Sequence, residues 1–175
     1  LPDQSALVEV LTTKGRALVE RFMKEPVPAD GIDKSAYLAS VPVRFQLEQL
    51  HEKLEGAFDS SIWKQQSERC LGCGACAFVC PTCACFDIQE DAWGSSGSRI
   101  RCWDSWGFSL FTQHTSGHNP RPTQSTRWRQ RILHKFSYMP DRINETGCTG
   151  CGRCSRACPV DMNIVEHLMS ITNHG

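Results

Sequence analysis

The sequence has no surplus of charge. Lysine plus arginine and aspartate plus glutamate stand at 19 each in 175 residues. Nucleic acid and anionic membrane surfaces are recognised by clustered positive charge, so neither is an expected partner. There is no apolar run near the length that spans a bilayer, which argues against direct membrane insertion. A twin-arginine or Sec-type leader is also missing. Leu1 rather than Met opens the sequence, which points to processing, trimming or an unseen segment ahead of it. P-loop, H-E-x-x-H and nucleophile-elbow motifs are absent. Gly72-x-Gly74-x-x-Ala77 formally fits a dinucleotide fingerprint, but it follows no predicted strand and lies among cysteines. No flavin or nicotinamide site can be argued, and no bond-making chemistry is expected of the chain itself.

Cysteine is what the sequence does have. There are eleven, an odd number that disulfides within one chain cannot use up. They are bunched rather than scattered, which points to metal and to a reducing compartment, the cytoplasm. "CLGCGACAFVCPT" begins at Cys70 and "CTGCGRCSRACPV" at Cys148. Both read C-x2-C-x2-C-x3-C-P: Cys70, Cys73, Cys76, Cys80 and Pro81, then Cys148, Cys151, Cys154, Cys158 and Pro159. Bacterial ferredoxins hold [4Fe–4S] clusters with this run. Closely spaced thiols on a glycine-rich loop can turn onto corners of one cubane, and glycines let backbone N–H groups approach its sulfides. Structural zinc instead takes C-x2-C pairs from separate knuckles.

Two clusters are therefore expected. In two-cluster ferredoxins the fourth cysteine of each run serves the other cluster. That rule assigns Cys70, Cys73, Cys76 and Cys158 to one and Cys148, Cys151, Cys154 and Cys80 to the other. The crossing should pack the runs together. With eight thiolates and two oxidised cubanes the loaded chain would be acidic by about four charges.

Around the runs the pattern is mainly helical. Leu7, Leu11, Leu18 and Phe22 have helical spacing, interrupted by Gly15. Pro26, Pro28, Gly31 and Pro42 read as a linker. Leu47, Leu50, Leu54 and Phe58 mark an amphipathic helix with Glu48, Glu52, Lys53 and Glu55 on its wet side. Trp63 is expected as a core residue or as a lid over a cluster. "CFDIQE" and "SRIRCWD" alternate like strands around "DAWGSSG", which predicts a hairpin at about 85–104. Trp128, Ile132, Leu133 and Phe136 share one helix face, with Arg127, Arg129, Arg131 and Lys135 largely elsewhere. After the second run "VDMNIVEHLMSIT" predicts a helix with Ile164, Val165 and Leu168 inward. The expected fold class is mainly α with a small β-hairpin, in an α-helical ferredoxin-like dicluster domain. Residues 1–43 would form an N-terminal helix and linker. Residues 44–175 would form the cluster domain, with a hairpin and helix insertion at about 85–140.

"CGACAFVCPTCACFDI", "RCWDSW", "GHNPRPT", "RWRQRILHKF" and "CGRCSRACPVDMNI" together resemble the family of two-cluster iron–sulfur subunits found in sulfhydrogenase (its beta subunit) and in anaerobic sulfite reductase. The resemblance covers roughly residues 60–170. It implies a non-catalytic electron relay between a flavin-bearing, nicotinamide-linked partner and a catalytic subunit of hydrogenase or sulfite reductase type. The chain departs from it in two ways: Trp106 stands where a cysteine is expected, and the part before the first run is short. A free ferredoxin-like carrier and an iron–sulfur redox sensor are the rival readings.

Three cysteines remain, Cys83, Cys85 and Cys102. They read as buried free thiols around the first cluster, or else as a third metal site completed by His114 or His118. The basic run Arg121, Arg127, Arg129, Arg131, His134 and Lys135 has three readings: it offsets cluster charge, docks a partner subunit, or forms a solvated face.

Overall fold

Thr12 sets the start of the first helix. Its hydroxyl accepts from Gly15 N at 3.0 Å and caps α1, Thr13–Phe22. Leu7 and Leu11 therefore fall before the helix, contrary to the expected span. No α1 residue is buried, and Leu18 and Phe22 face outward. The structure is a computed structural model that describes residues 6–23, 28 and 31–173. Pro26 of the expected linker lies outside the described residues, as do the ends of the chain. The chain divides into two units, Leu1–Pro42 and Val43–Gly175. In the first, a short 3-10 turn at Lys34–Tyr37 follows its cap residue Asp33, and Lys34 pairs with Glu9.

The second unit is mainly helical with one two-stranded hairpin. Its helices are α2 (Leu47–Gly56), α3 (Ile62–Ser67), α4 (Ala75–Phe78), α5 (Gln124–Leu133), α6 (Met139–Ile143), α7 (Arg153–Arg156) and α8 (Ile164–Asn173). Strands β1 (Phe86–Trp93) and β2 (Ser96–Trp103) pair antiparallel, Phe86 opposite Trp103 and Trp93 opposite Ser96. Gly94, at φ +60°, takes the positive φ that a two-residue hairpin turn requires. All β1 residues are exposed, and in β2 only Cys102 is half-buried.

The core gathers Leu50 and Leu54 of α2, Ile62 and Trp63 of α3, Trp128, Ile132 and Leu133 of α5, then Phe136, Met162, Ile164, Leu168 and Ile171. Leu47 and Phe58 stay partly in solvent, and Phe58 lies beyond the end of α2. In α8 the third inward residue is Ile171 rather than Val165, because Ile164, Leu168 and Ile171 share one face at i, i+4 and i+7 and Val165 lies beside it. Trp63 is a core residue, 3% exposed, and lines neither cysteine cavity described below. A polar thread ties three helices through this core. Trp128 Nε1 donates to Gln66 Oε1 at 3.1 Å, and Gln66 Nε2 donates to His167 O at 3.0 Å.

Thr123 caps α5 by accepting from Thr126 N. The helix then widens into a π-helical turn at His134–Tyr138 before α6 closes at left-handed Asn144. Such turns shift side chains around the helix axis. Arg127, Arg131 and Lys135 are buried, at 8%, 6% and 4% exposure, so the basic residues do not form a solvated face. Their burial requires partners: cysteine sulfurs for Arg131 and Lys135, and Gln124 with the carbonyls of Arg121 and Pro122 for Arg127.

Candidate metal centre

Each cysteine run wraps a loop into a one-turn helix. Gly72 and Gly74 in the first, and Gly150 and Gly152 in the second, all have φ near +70°. Gly74 is the cap of α4 and Gly152 the cap of α7. The left-handed residue turns the loop back so that the following helix starts on the same side as the thiols before it. At Gly74 space is tight as well: a Cβ there would stand 2.7 Å from a ring carbon of Phe108. At Gly150 a Cβ would meet nothing within 4 Å. Gly74→Ala should therefore cost about 1–2 kcal/mol in backbone conformation, and more through the shift of Phe108. Gly150→Ala should show the backbone penalty alone. Thermal unfolding of the two variants checks the difference, and equal losses would contradict it.

Helices α4 and α7 pack on each other, and the thiols sort into two cavities. Cys70, Cys73, Cys76 and Cys158 line the first, with Trp106 and Trp128 in its wall. Cys80, Cys148 and Cys151 line the second. Cys154 borders both, as does the Arg131 side chain between them. The first is the tighter, about 40 Å³ against about 500 Å³. The fourth cysteine of each run thus faces the cavity of the other run. Among the described residues no three Cys, His, Asp or Glu side chains converge as ligands of a single ion. Thiols spread around a cavity suit a multi-iron cube, whose four ligands each bind a different iron, better than one mononuclear ion. His114 and His118 meet edge to face, 5.4 Å between ring centres.

Hydrogen bonds reach the sulfurs from several elements. Gly150 N donates to Cys148 Sγ at 3.5 Å, and Gln124 Nε2 to Cys70 Sγ at 3.0 Å. Lys135 Nζ stands 3.3 Å from Cys80 Sγ, and Thr82 Oγ1 3.2 Å from it. Cys83 donates to Cys80, which holds Cys80 well below the ordinary thiol range while Cys83 itself is pushed up. Arg131 donates to Cys76 O at 3.1 Å and reaches Cys83 Sγ at 3.5 Å. Burial works against its charge, but the neighbouring sulfurs of Cys76 and Cys83 outweigh burial and strengthen it. Burial pushes the Cys76 thiol up, with Arg131 opposing. The Arg153 N–H draws Cys151 down. A set of thiols with donors already aimed at the sulfurs fits an anionic metal–sulfur group.

Cys83 stands beside Cys80, not at the first thiol set where it was expected. Cys102 lies in β2 opposite Asp87. Trp106 takes the place where a thiol was anticipated: its indole packs edge-on to Phe111 and carries Arg121 4.7 Å above its ring. Sequence reading missed Gln124, while the contacts of Arg131 and Lys135 to sulfur accord with the reading in which the basic run offsets charge there. The available signal for the cations was the four-residue spacing of Arg127, Arg131 and Lys135, one position ahead of Trp128, Ile132 and Phe136.

A family model described as a 4Fe-4S dicluster domain matches residues 69–162. Sulfhydrogenase 2 subunit beta of Pyrococcus furiosus is 39% identical over 123 residues, 69% of this chain and 36% of that protein. The chain thus spans about a third of the length of that relative. No solved structure matches. No helix among the described residues is long and apolar enough to cross a membrane. The chain belongs to the 4Fe–4S dicluster domain family, and a sulfhydrogenase beta subunit is among its relatives.

Proposed function

We propose that this chain is an electron-relay subunit with two [4Fe–4S] clusters in an α-helical ferredoxin-like domain over residues 44–175, the hairpin and α5 being its insertion. Cys70, Cys73, Cys76 and Cys158 would hold one cluster, and Cys148, Cys151, Cys154 and Cys80 the other. Such clusters take up and release single electrons between two charge states. The residues of the chain do the rest. Rigid loops fix the sulfurs, Trp106 and Trp128 exclude water from the first cavity, Arg131 and Lys135 balance negative charge, and Gln124 donates a hydrogen bond to Cys70 Sγ. With every cluster iron held by a thiolate no position is open to a substrate, so the partner subunits carry out the bond chemistry. Those partners would be a catalytic subunit of hydrogenase or sulfite reductase type together with a flavin-bearing, nicotinamide-linked one, in the cytoplasm.

One observation favours a resident subunit over a free carrier or a sensor. Leu71, Phe78, Trp103, Phe108 and Leu110 lie exposed around the first cavity, at 67%, 68%, 38%, 38% and 71%. Phe78, Trp103 and Phe108 stack edge to face, while Leu71, Phe108 and Leu110 line one shallow hollow. A contiguous apolar patch of this kind is usual at a protein interface. Anaerobic isolation from the native source, with mass spectrometry of bound chains, is the test. A flavin or catalytic subunit in fixed proportion is the expected result. A chain that elutes alone with about eight irons would leave a mobile carrier or a sensor.

A further inference from the structure

The continuous helix from α5 into the π-helical turn carries Arg127, Arg131 and Lys135 at four-residue spacing, and these cations meet the two thiol sets unequally. At the first set, Cys70 Sγ receives a neutral amide, Gln124 Nε2 at 3.0 Å. The Arg127 guanidinium is one step behind, 2.6 Å from Gln124 Oε1, where it holds the amide with its N–H2 towards the sulfur. Arg131 borders both cavities, but it donates to the backbone carbonyl of Cys76 and to Cys83 Sγ, and touches no ligand sulfur of either set.

At the second set a cation touches the sulfur itself. Lys135 is 4% exposed, and its ammonium has three acceptors for its three protons. These are Cys80 Sγ at 3.3 Å, Thr82 Oγ1 at 2.9 Å and Gly147 O at 2.6 Å. Thr82 sends its own proton to Gly147 O at 2.7 Å, which leaves the ammonium as the charged donor to Cys80. Gly147 N returns a bond to Lys135 O at 2.7 Å, so backbone and side chain are pinned together.

We infer that Lys135 makes the second thiol set the better electron acceptor, so that an electron arriving at the first passes to the second and rests there. This rests on the two-cluster reading above. Reduction adds one negative charge, and a donor on the ligand sulfur stabilises it. A charge-assisted hydrogen bond is roughly twice as strong as a neutral one, and a buried cation is little screened by salt. The first site loses one electron as the second gains one, and no proton or further reactant enters.

The test is a dithionite titration of the iron-loaded chain followed by EPR. Wild type should give two midpoints separated by at least a tenfold change in equilibrium constant, 59 mV for a one-electron step. Lys135→Gln should lower the higher midpoint by at least tenfold in the ratio of reduced to oxidised, and move the lower one by less than about threefold. Lys135→Arg, which keeps the charge, should retain the wild-type order. Gln124→Leu should move the lower midpoint instead, which assigns the two signals. Coincident midpoints in wild type overturn the inference, even where K135Q does not take up iron. So does a K135Q protein in which both midpoints shift alike or neither shifts. Wild type that binds well under about eight irons refutes the two-cluster reading itself, whereas full iron with coincident midpoints counts against Lys135 alone.

Discussion

Cys80→Ala should empty the site built by the second cysteine run and spare the one beside it in sequence. Cys80 lines the same cavity as Cys148 and Cys151, while Cys158 lines that of Cys70, Cys73 and Cys76. Iron should fall from about eight to about four per chain in each single variant. The informative comparison is between variants. Cys80→Ala and Cys151→Ala should lose the same EPR signal, and Cys158→Ala and Cys73→Ala the other. If Cys80→Ala instead shares the signature of Cys73→Ala, the runs do not cross and the ligand sets must be redrawn. A Cys73→Ala chain with full iron and unchanged electron transfer would sink the assignment altogether.

The largest loss of stability outside the thiols is expected at Ile132. It is 0% exposed, at the centre of the core where α3 packs on α5. Ile132→Ala removes buried methyl groups from a site that neighbouring helices cannot fill, at about 2–5 kcal/mol. A domain of this size has about 5–15 kcal/mol in total. Ile132→Val should cost only about 0.5–1.5 kcal/mol. Anaerobic guanidinium unfolding, read at constant slope, checks both. A near-neutral Ile132→Ala would mean that the core closes over the gap. Because Arg131 precedes Ile132 on the same helix, the loosened helix should also release iron sooner on dilution into chelator.

The two cysteine runs were legible because the ferredoxin-type spacing is local. The outer ends of the hairpin were legible to within a residue, but its turn was not: the expected loop "DAWGSSG" is only Gly94 and Ser95, with strand pairing running to Trp93 and from Ser96. The apolar face of α5 was likewise readable from its spacing. For the cations, charge offset was only one of three readings, and their burial was not foreseen. A lone buried guanidinium or ammonium is costly, so periodicity alone assigns Arg127, Arg131 and Lys135 to water. Their partners, such as Cys80 for Lys135 and Cys76 for Arg131, lie far away in sequence and are joined to them only by the fold. The π-helical turn had no local signal either. Leu7 was misplaced because the start of a helix depends on its cap, and Val165 because it lies beside the face that Ile164, Leu168 and Ile171 share at i, i+4 and i+7.

The hairpin of β1 and β2 has a consequence for how the molecule opens. Two strands with nearly every residue in solvent have little buried apolar area to hold them, and such a pair alone is marginal in water. The Arg99–Glu90 pair and the stacking of Arg101 on Phe86 are surface contacts worth a few tenths of a kcal/mol up to about 1 each. Amide protons along these strands should therefore exchange through local opening far below the energy of global unfolding, while those of α5 wait for the whole core to melt. The unit joins a slowly exchanging helical core to a rapidly exchanging ribbon, whose two edges leave backbone N–H and C=O groups free for another strand.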